Sequence, residues 1–294
     1  MGEIEVILPD KGRDAQKSIV RRLSDIENSA KTIKQEQEKT CERLRNFILL
    51  ELGLSVPSVK SNWYIKPFED TERLDFVWNH PTTASVKQYL KSKGAVTFGK
   101  LIKTDEIEYG LNASGKDKGK IRFVNIEQVN PDGTIHYEGM KYVDAAPSEK
   151  LLKQNDILVC RSRAVGTAAL VTEDESGFTY GSFILRIRLR EENMNLARYV
   201  VSFLNSDLGK IQFKFLQTGS EKFAFTEKPT RGGGNNINTT NLREVQVIVP
   251  EPTILNAIVE KMLPLLKTKQ EGDVELKHQI ELQKGLFEKM LLLE

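Results

Sequence analysis

EVILPDKGRDAQKSIVRRL, Glu5–Leu23, is echoed near the other end of the chain by QVIVPEPTILNAIVEKM, Gln246–Met262, with a two-residue insertion after the proline. Each copy is an alternating β-type run, then Pro9 or Pro250, then an amphipathic pattern. Proline fixes φ and cannot donate to a ladder, so the strand must end there and a helix entry begins. After Pro9, the residues Ile19, Leu23, Ile26, Ala30, Ile33, Leu44 and Ile48 keep mostly three- and four-residue steps, broken by a polar stretch around Gln37. No Pro or Gly interrupts Arg13 to Leu52, which predicts one helix up to roughly 60 Å long from the rise per residue. After Pro250 the stripe is Ile254, Ile258, Met262 and Leu265, then Leu276, Ile280, Phe287 and Met290, and Pro264 with Gly272 predicts a kink or break between its halves. A long helix cannot bury a single apolar stripe alone, so the two are expected to pack on each other or on a partner chain.

Working outward, the chain has 294 residues, 39% of them hydrophobic and 29% charged, which excludes collagen-like and disordered classes. No apolar run approaches the roughly 20 residues of a bilayer crossing, and the start shows no basic-then-apolar leader, so a cytoplasmic protein is expected. Cys41 and Cys160, with His80, His136 and His278, are too scattered for a disulfide framework or a zinc site, and no metal is expected. Net charge is +2, but residues 57–250 hold 27 basic against 23 acidic side chains, a lean toward a polyanionic partner in the middle of the chain.

That middle segment reads as α+β. KIRFVNI, DILVCRS, AALVTE and FILRIRLR are β-rich, with turns at Asn130–Gly133 and Glu175–Gly177, while ASVKQYLKSKG, closing at Gly94, and LARYVVSFLNSDLGKIQFKFL read as helices. Catalytic signatures are absent: no Walker loop, GxGxxG, GxSxG, HExxH, DPPY or NPPF occurs. The acidic pairs Asp105–Glu106 and Asp174–Glu175 read as solvated carboxylates, and His136 as a partly buried structural histidine. What does stand out is three loops rich in glycine, amides and cations: Gly110–Lys120, with Lys116, Lys118, Lys120 and then Arg122; Cys160–Gly166, with Arg161 and Arg163; and Thr230–Asn238, with Arg231, Asn235 and Asn236. Glycine lets backbone amides approach phosphates that Lys and Arg neutralise, and Arg and Asn read guanine and adenine edges bidentately.

Read in order, the segments resemble the specificity subunit of type I restriction-modification systems, over nearly the whole chain. TERLDFVWNHP, Thr71–Pro81, resembles the opening of that family's target recognition domain; KIRFVNIEQVNPDGTI resembles its "IR..NI" strand and turn; LLKQNDILVCRSRAVGTAALV resembles its "L..GDILV.R...VG..A.V" hairpin. GSFILRIRLR, the ARYVV to LQTG segment and GGNNINTTNLREVQVIVPEPTILNAIVEKM follow in the family's order. Asn155 stands where the family has glycine, and PEPTILN and PDKGRDAQ replace its proline-rich helix entry, differences that bear on local geometry.

The resemblance implies an α+β fold: one globular mixed α/β target recognition domain at 57–250, preceded by an end strand and first long helix at 1–56 and followed by a second helix at 251–294, the two helices packed as an antiparallel coiled coil. It implies no catalysis by this chain and no cofactor on it. The chain would recognise double-stranded DNA for a methyltransferase subunit that carries S-adenosylmethionine and modifies adenine, joined by a restriction subunit. Lys116, Lys118, Lys120 and Arg122 are expected on phosphates, and Arg161, Arg163, Arg231, Asn235 and Asn236 near base edges. For Arg122 a salt bridge within the sheet is the competing role; for Asn236 and Asn238 it is turn-forming amide bonds, favoured at Asn238. The chain is expected to be a half-length subunit that pairs with itself, or the carboxyl portion of a fused adenine methyltransferase. A helical protein-interaction scaffold is the competing function.

Overall fold

Apolar steps of three and four residues make helices and apolar runs of four to six make strands, and both expectations are met in a computed structural model. It describes residues 13–58, 80–218 and 235–291, with side chains described from residue 17 to 288 within those ranges. Glu5–Leu8 and Pro9, most of Thr71–Pro81, and Arg231 lie outside the described residues. In chain order the elements are α1 (Arg13–Glu51), α2 (Pro81–Ser92), β1 (Val96–Thr97), α3 (Phe98–Leu101), β2 (Ile102–Tyr109), β3 (Ile121–Val124), β4 (Lys141–Val143), β5 (Ile157–Cys160), β6 (Ala168–Leu170), β7 (Thr179–Tyr180), β8 (Ile184–Leu189), α4 (Met194–Asn205), α5 (Asp207–Leu216), α6 (Thr239–Glu244), β9 (Gln246–Val247) and α7 (Pro252–Leu291). The chain forms two compact units, Met1–Arg43 with Leu263–Glu294, and Leu44–Met262. No helix of the described residues is long and apolar enough to cross a membrane.

In the helical unit, the half-buried positions on α1 include 19, 23, 26, 30, 33, 37 and 40, an alternation of four- and three-residue steps, with Cys41 beside the last. On α7 positions 265, 269, 272, 276, 279, 283 and 286 repeat the same alternation. A 3.5-residue period is the signature of a coiled-coil seam. Arg22 and Ile26 line a groove with Leu282 and Leu286, while Ile33 and Thr40 line another with Glu275 and Thr268, so the segments run antiparallel. α7 continues through Pro264 and Gly272 where the sequence suggested a break. Gly272 serves the packing instead: a Cβ there would stand 1.6 Å from Gln37 Nε2. The seam differs from the stripe expected by eye, since Ile254, Ile280 and Phe287 are exposed.

In the larger unit, β2-β8-β5-β6 form an antiparallel four-stranded sheet. Ile157, Val159, Ala168, Leu185 and Ile187 face one core with α2, α4 and α5, while Leu158, Cys160, Ala169 and Ile184 face a second core with Val124, Met140 and Tyr180. Burial on both faces explains why ILVC and AAL are continuously apolar rather than alternating. A second sheet, β4-β3-β7, contributes Val124 and Tyr180 to that second core. At the outer, buried edge of β6, the Asn205 amide bonds both Ala168 backbone groups, donating to its O (2.7 Å) and accepting from its N–H (3.0 Å). Those groups would otherwise lack partners, a costly state for buried backbone.

Three sequence readings change. The long helical pattern from Leu196 to Leu216 is two helices, because Ser206 is extended and its Oγ accepts from Gly209 N–H (3.2 Å), capping α5. Glu106 is paired with Arg186 (3.4 Å) and Arg188 (3.3 Å), not solvated, because strand register sets β2 carboxylates against β8 guanidiniums. Glu175 is buried, accepting from Thr172 N–H (2.8 Å), Thr172 Oγ1 (2.6 Å) and the Tyr137 hydroxyl. Asn155 adopts φ +71°, the left-handed region that glycine enters freely and asparagine tolerates best, so its replacement of glycine preserves the turn into β5.

Candidate nucleic-acid interface

One end of the four-stranded sheet gathers the loops. There β2 finishes at Tyr109, β5 gives way to Arg161, and Phe183 leads into β8. Gly110 and Gly181 let the strand-end segments touch, since a Cβ on Gly110 would meet Gly181 O at 2.3 Å. A parallel bridge between Leu111 and Gly181 follows, with Leu111 N–H donating to Tyr180 O (2.7 Å).

Arg161 sits at the centre of this end. Its N–H donates to Phe183 O (2.9 Å), continuing the β5–β8 pairing by one residue. Its guanidinium lies 4.7 Å from the centroid of the Tyr109 ring, Nε donates to Asn236 Oδ1 (2.9 Å), and Nη1 reaches Ser182 O at 3.5 Å. Asn236 is fixed in turn: its N–H donates to Thr218 O (2.8 Å) and its O accepts from Thr218 N–H (2.7 Å). Asn235 is half-buried beside it, and Asn238 caps α6 by accepting from Asn241 N–H (2.7 Å).

Arg163 is exposed at the tip of the β5–β6 turn with φ +57°, a conformation non-glycine residues adopt at a cost of order 1 kcal/mol or more. The turn is closed by Gly166 N–H to Cys160 O (2.9 Å), and Gly166 at φ +80° leaves no room for a Cβ, which would be 2.1 Å from Phe213 Cδ2. Beneath the turn, Lys210 Nζ donates to Thr167 Oγ1 (3.0 Å). Burial pushes the Lys210 ammonium down to about 8 and the neighbouring Cys160 thiol up to about 12.

The lysine loop carries exposed charge. Lys116 Nζ pairs with Asp144 (2.6 Å), and Lys141 pairs with Asp117; those hydrogen bonds hold both carboxylates below the ordinary carboxylate range. Pairs this exposed contribute little to stability, so a phosphate can displace the carboxylate at small cost. Lys118 and Lys120 are exposed. Arg122 makes no salt bridge among the described residues; its guanidinium lies over the rings of Tyr137 (5.4 Å) and Phe178 (5.2 Å). Among the described residues no group of three or more His, Cys, Asp or Glu is placed to hold a metal ion.

Arg161 and Asn236 are thus brought into contact, with Asn235 adjacent, while Lys116, Lys118 and Lys120 lie along the segment leading away from Tyr109. Tyr109 and Phe183 belong to the same end and escaped sequence reading. Phe183 opens an apolar run that resembles strand interior, Tyr109 closes the charged stretch KTDEIEY, and the sequence signal beside Phe183 is the Gly-Ser pair that opens GSFILRIRL.

The family model described as "Type I restriction modification DNA specificity domain" matches residues 98–282. Among solved structures, the chain is similar to the S subunit of a type I restriction-modification system from M. genitalium (10% identity, TM-score 0.48, covering 94% of this chain and 59% of that one). It is also similar to the HsdS subunit from Thermoanaerobacter tengcongensis (11% identity, TM-score 0.42, 95% and 57%) and to a chain from a study of assembly and conformational transition of the type I R-M system (14% identity, TM-score 0.46, 96% and 60%). This chain spans about three fifths of the length of those chains. No curated protein matches it.

Proposed function

Because this chain belongs to the type I restriction modification DNA specificity domain family, we propose that it recognises a DNA sequence on behalf of a type I restriction-modification complex and performs no catalysis itself. The observation that carries the reading is the convergence of Arg161, Arg163, Asn235 and Asn236 at one sheet end within the residues the family model covers. Residues 57–250 act as the target recognition domain. The helices at 1–56 and 251–294 act as a spacer, because a bipartite site needs readers held at a fixed separation and a stiff helical pair sets a length better than a flexible linker does.

In this reading Lys116, Lys118, Lys120 and Arg122 contact phosphates, and Arg161, Arg163, Arg231, Asn235 and Asn236 lie near base edges. A methyltransferase subunit supplies S-adenosylmethionine and extrudes the target adenine, a restriction subunit joins it, and the helices also pair two copies of this chain. The assembly works in the cytoplasm, where its DNA is. The deciding experiment compares genome-wide adenine methylation with and without this gene. The expected result is one bipartite motif that disappears on deletion; an unchanged methylome together with no salt-dependent retention of duplex DNA overturns the reading.

A further inference from the structure

Phe183 is 57% exposed although it stands at the mouth of a core strand, and Tyr109 beside it is 39% exposed. An aromatic ring left in water forfeits apolar burial, and beside Tyr109, on a surface otherwise made of Arg, Asn, Ser and Lys among the described residues, it offers an apolar contact to a ligand with an apolar patch of its own. Register sets what it can reach. Cys160 pairs with Ile184, so Arg161 and Phe183 are opposite each other on neighbouring strands, joined by the Arg161 N–H to Phe183 O bond (2.9 Å). Their side chains leave the same face of the pleat, the face that carries Val159 and Leu185 deeper in the sheet. Opposite residues have Cβ atoms about 5 Å apart, which spans one to two base-pair steps of roughly 3.4 Å.

The guanidinium is held in one orientation. Its face rests on the Tyr109 ring, its Nε is committed to Asn236, and among the described residues the weak Nη1 contact to Ser182 O leaves the terminal Nη1–Nη2 fork as the edge able to engage a ligand. A fork presented end-on fits the N7 and O6 acceptors of guanine, which lie side by side in the major groove. The apolar group that groove offers next to a guanine is the C5-methyl of thymine.

Resting on the DNA-recognition reading above, we propose that Arg161 and Phe183 together read two adjacent bases of the target, a guanine by the fork and a thymine by its methyl group, with Tyr109 as the positioning residue for Arg161. The test maps methylated motifs in cells carrying the full-length gene and its variants. The wild-type motif is expected to contain a guanine beside a thymine. Phe183→Ala relaxes the thymine alone and Phe183→Leu, which keeps an apolar contact, retains most of it. Arg161→Met relaxes the guanine by about tenfold or more, Tyr109→Ala does the same, and Tyr109→Phe, with the ring retained, does not.

In binding assays on the motif so defined, deoxyuridine in place of that thymine weakens the wild-type protein about as much as Phe183→Ala does and weakens Phe183→Ala no further. A motif unchanged in Phe183→Ala and Arg161→Met, or a neutral deoxyuridine substitution, overturns the pair as readers while leaving DNA recognition standing. Absence of any gene-dependent motif in the wild type, together with no salt-dependent retention of duplex DNA, overturns the functional reading itself, and the pair with it.

Discussion

Asp156→Asn tests the energetics of the sheet that presents the reading end. Arg188 donates to Asp156 through Nε (2.6 Å) and Nη2 (3.2 Å), and the carboxylate, 1% exposed, also accepts from Lys153 N–H (2.9 Å). Arg186, equally buried, lies between Glu106 (3.4 Å), Glu108 (3.2 Å) and Asp156 (4.0 Å). Lys150 also pairs with Glu108 (3.1 Å), so three cations share three carboxylates, and among the described residues the Nε and Nη1 of Arg186 have no hydrogen-bond partner. Neutralising Asp156 leaves this cluster with an uncompensated cation in low dielectric, for which about 3–5 kcal/mol of lost stability is expected. At about 2–4 °C per kcal/mol for a unit of this size, the melting temperature falls by roughly 6–20 °C. Circular dichroism melts and urea titrations of the full chain measure it. The double variant Asp156→Asn with Arg188→Met recovers part of the loss, because the stranded charge is gone. A loss below about 1 kcal/mol in the single variant, or strict additivity in the double, would refute the argument that the cluster is desolvated and coupled.

Replacing Lys118 and Lys120 by alanine should weaken binding to all duplexes alike and reduce the salt slope by about one for each lysine, measured by titration at several salt concentrations; an unchanged slope removes them from the interface. Because the folded state holds Lys210 near 8 against 10.5 when unfolded, the unfolded chain binds more protons there, and stability should rise by about 1 kcal/mol between pH 7.5 and 9. Above about pH 10 the Cys160 thiol, held near 12 in the fold, reverses the trend, since the unfolded thiol ionises first. Lys210→Met should abolish the rise and keep the fall, read from urea midpoints across that range. Gly166→Ala should cost about 2 kcal/mol or more, since φ +80° and the Phe213 ring both oppose a Cβ, with a thermal melt as the measurement.

What sequence reveals about this chain is whatever depends on near neighbours. The α1 stripe, the turns at Gly133 and Gly177 and the cap at Asn238 follow from residues within a few positions of one another, and each takes the expected form. The charge cluster does not, because Glu106 and Arg188 meet only once β2 and β8 pair across 82 residues, so an acidic pair in a polar stretch looks like surface. Arg161 was legible as a cation in a glycine-bearing loop, but the Asn236 that orients it is 75 residues away, and Tyr109 reaches it only once β2 and β8 pair. Pro264 misled for the complementary reason: local rules count the missing N–H, whereas α7 is held through that point by packing on both sides of it, at Met262 and Leu266.

In the proposed reading, the arrangement of the larger unit lets a loop surface discriminate bases. A reader must lose little side-chain freedom on binding, or ordering costs of about 0.5–1.5 kcal/mol for each long side chain erode the difference between right and wrong bases. Arg161 meets that condition through three contacts, two of them to residues anchored elsewhere: Tyr109 ends β2, and Asn236 is bridged to Thr218 and Ser162. These anchors keep their positions because the sheet beneath is packed on both faces and tied by the Arg188–Asp156 pair. Arg163, by contrast, stands exposed on a strained turn, suited to adaptable contacts. In the proposed reading both arginines lie near base edges, and Arg163→Ala should weaken binding and relax the motif less than Arg161→Met does, because an exposed, adaptable side chain discriminates less than a fixed one.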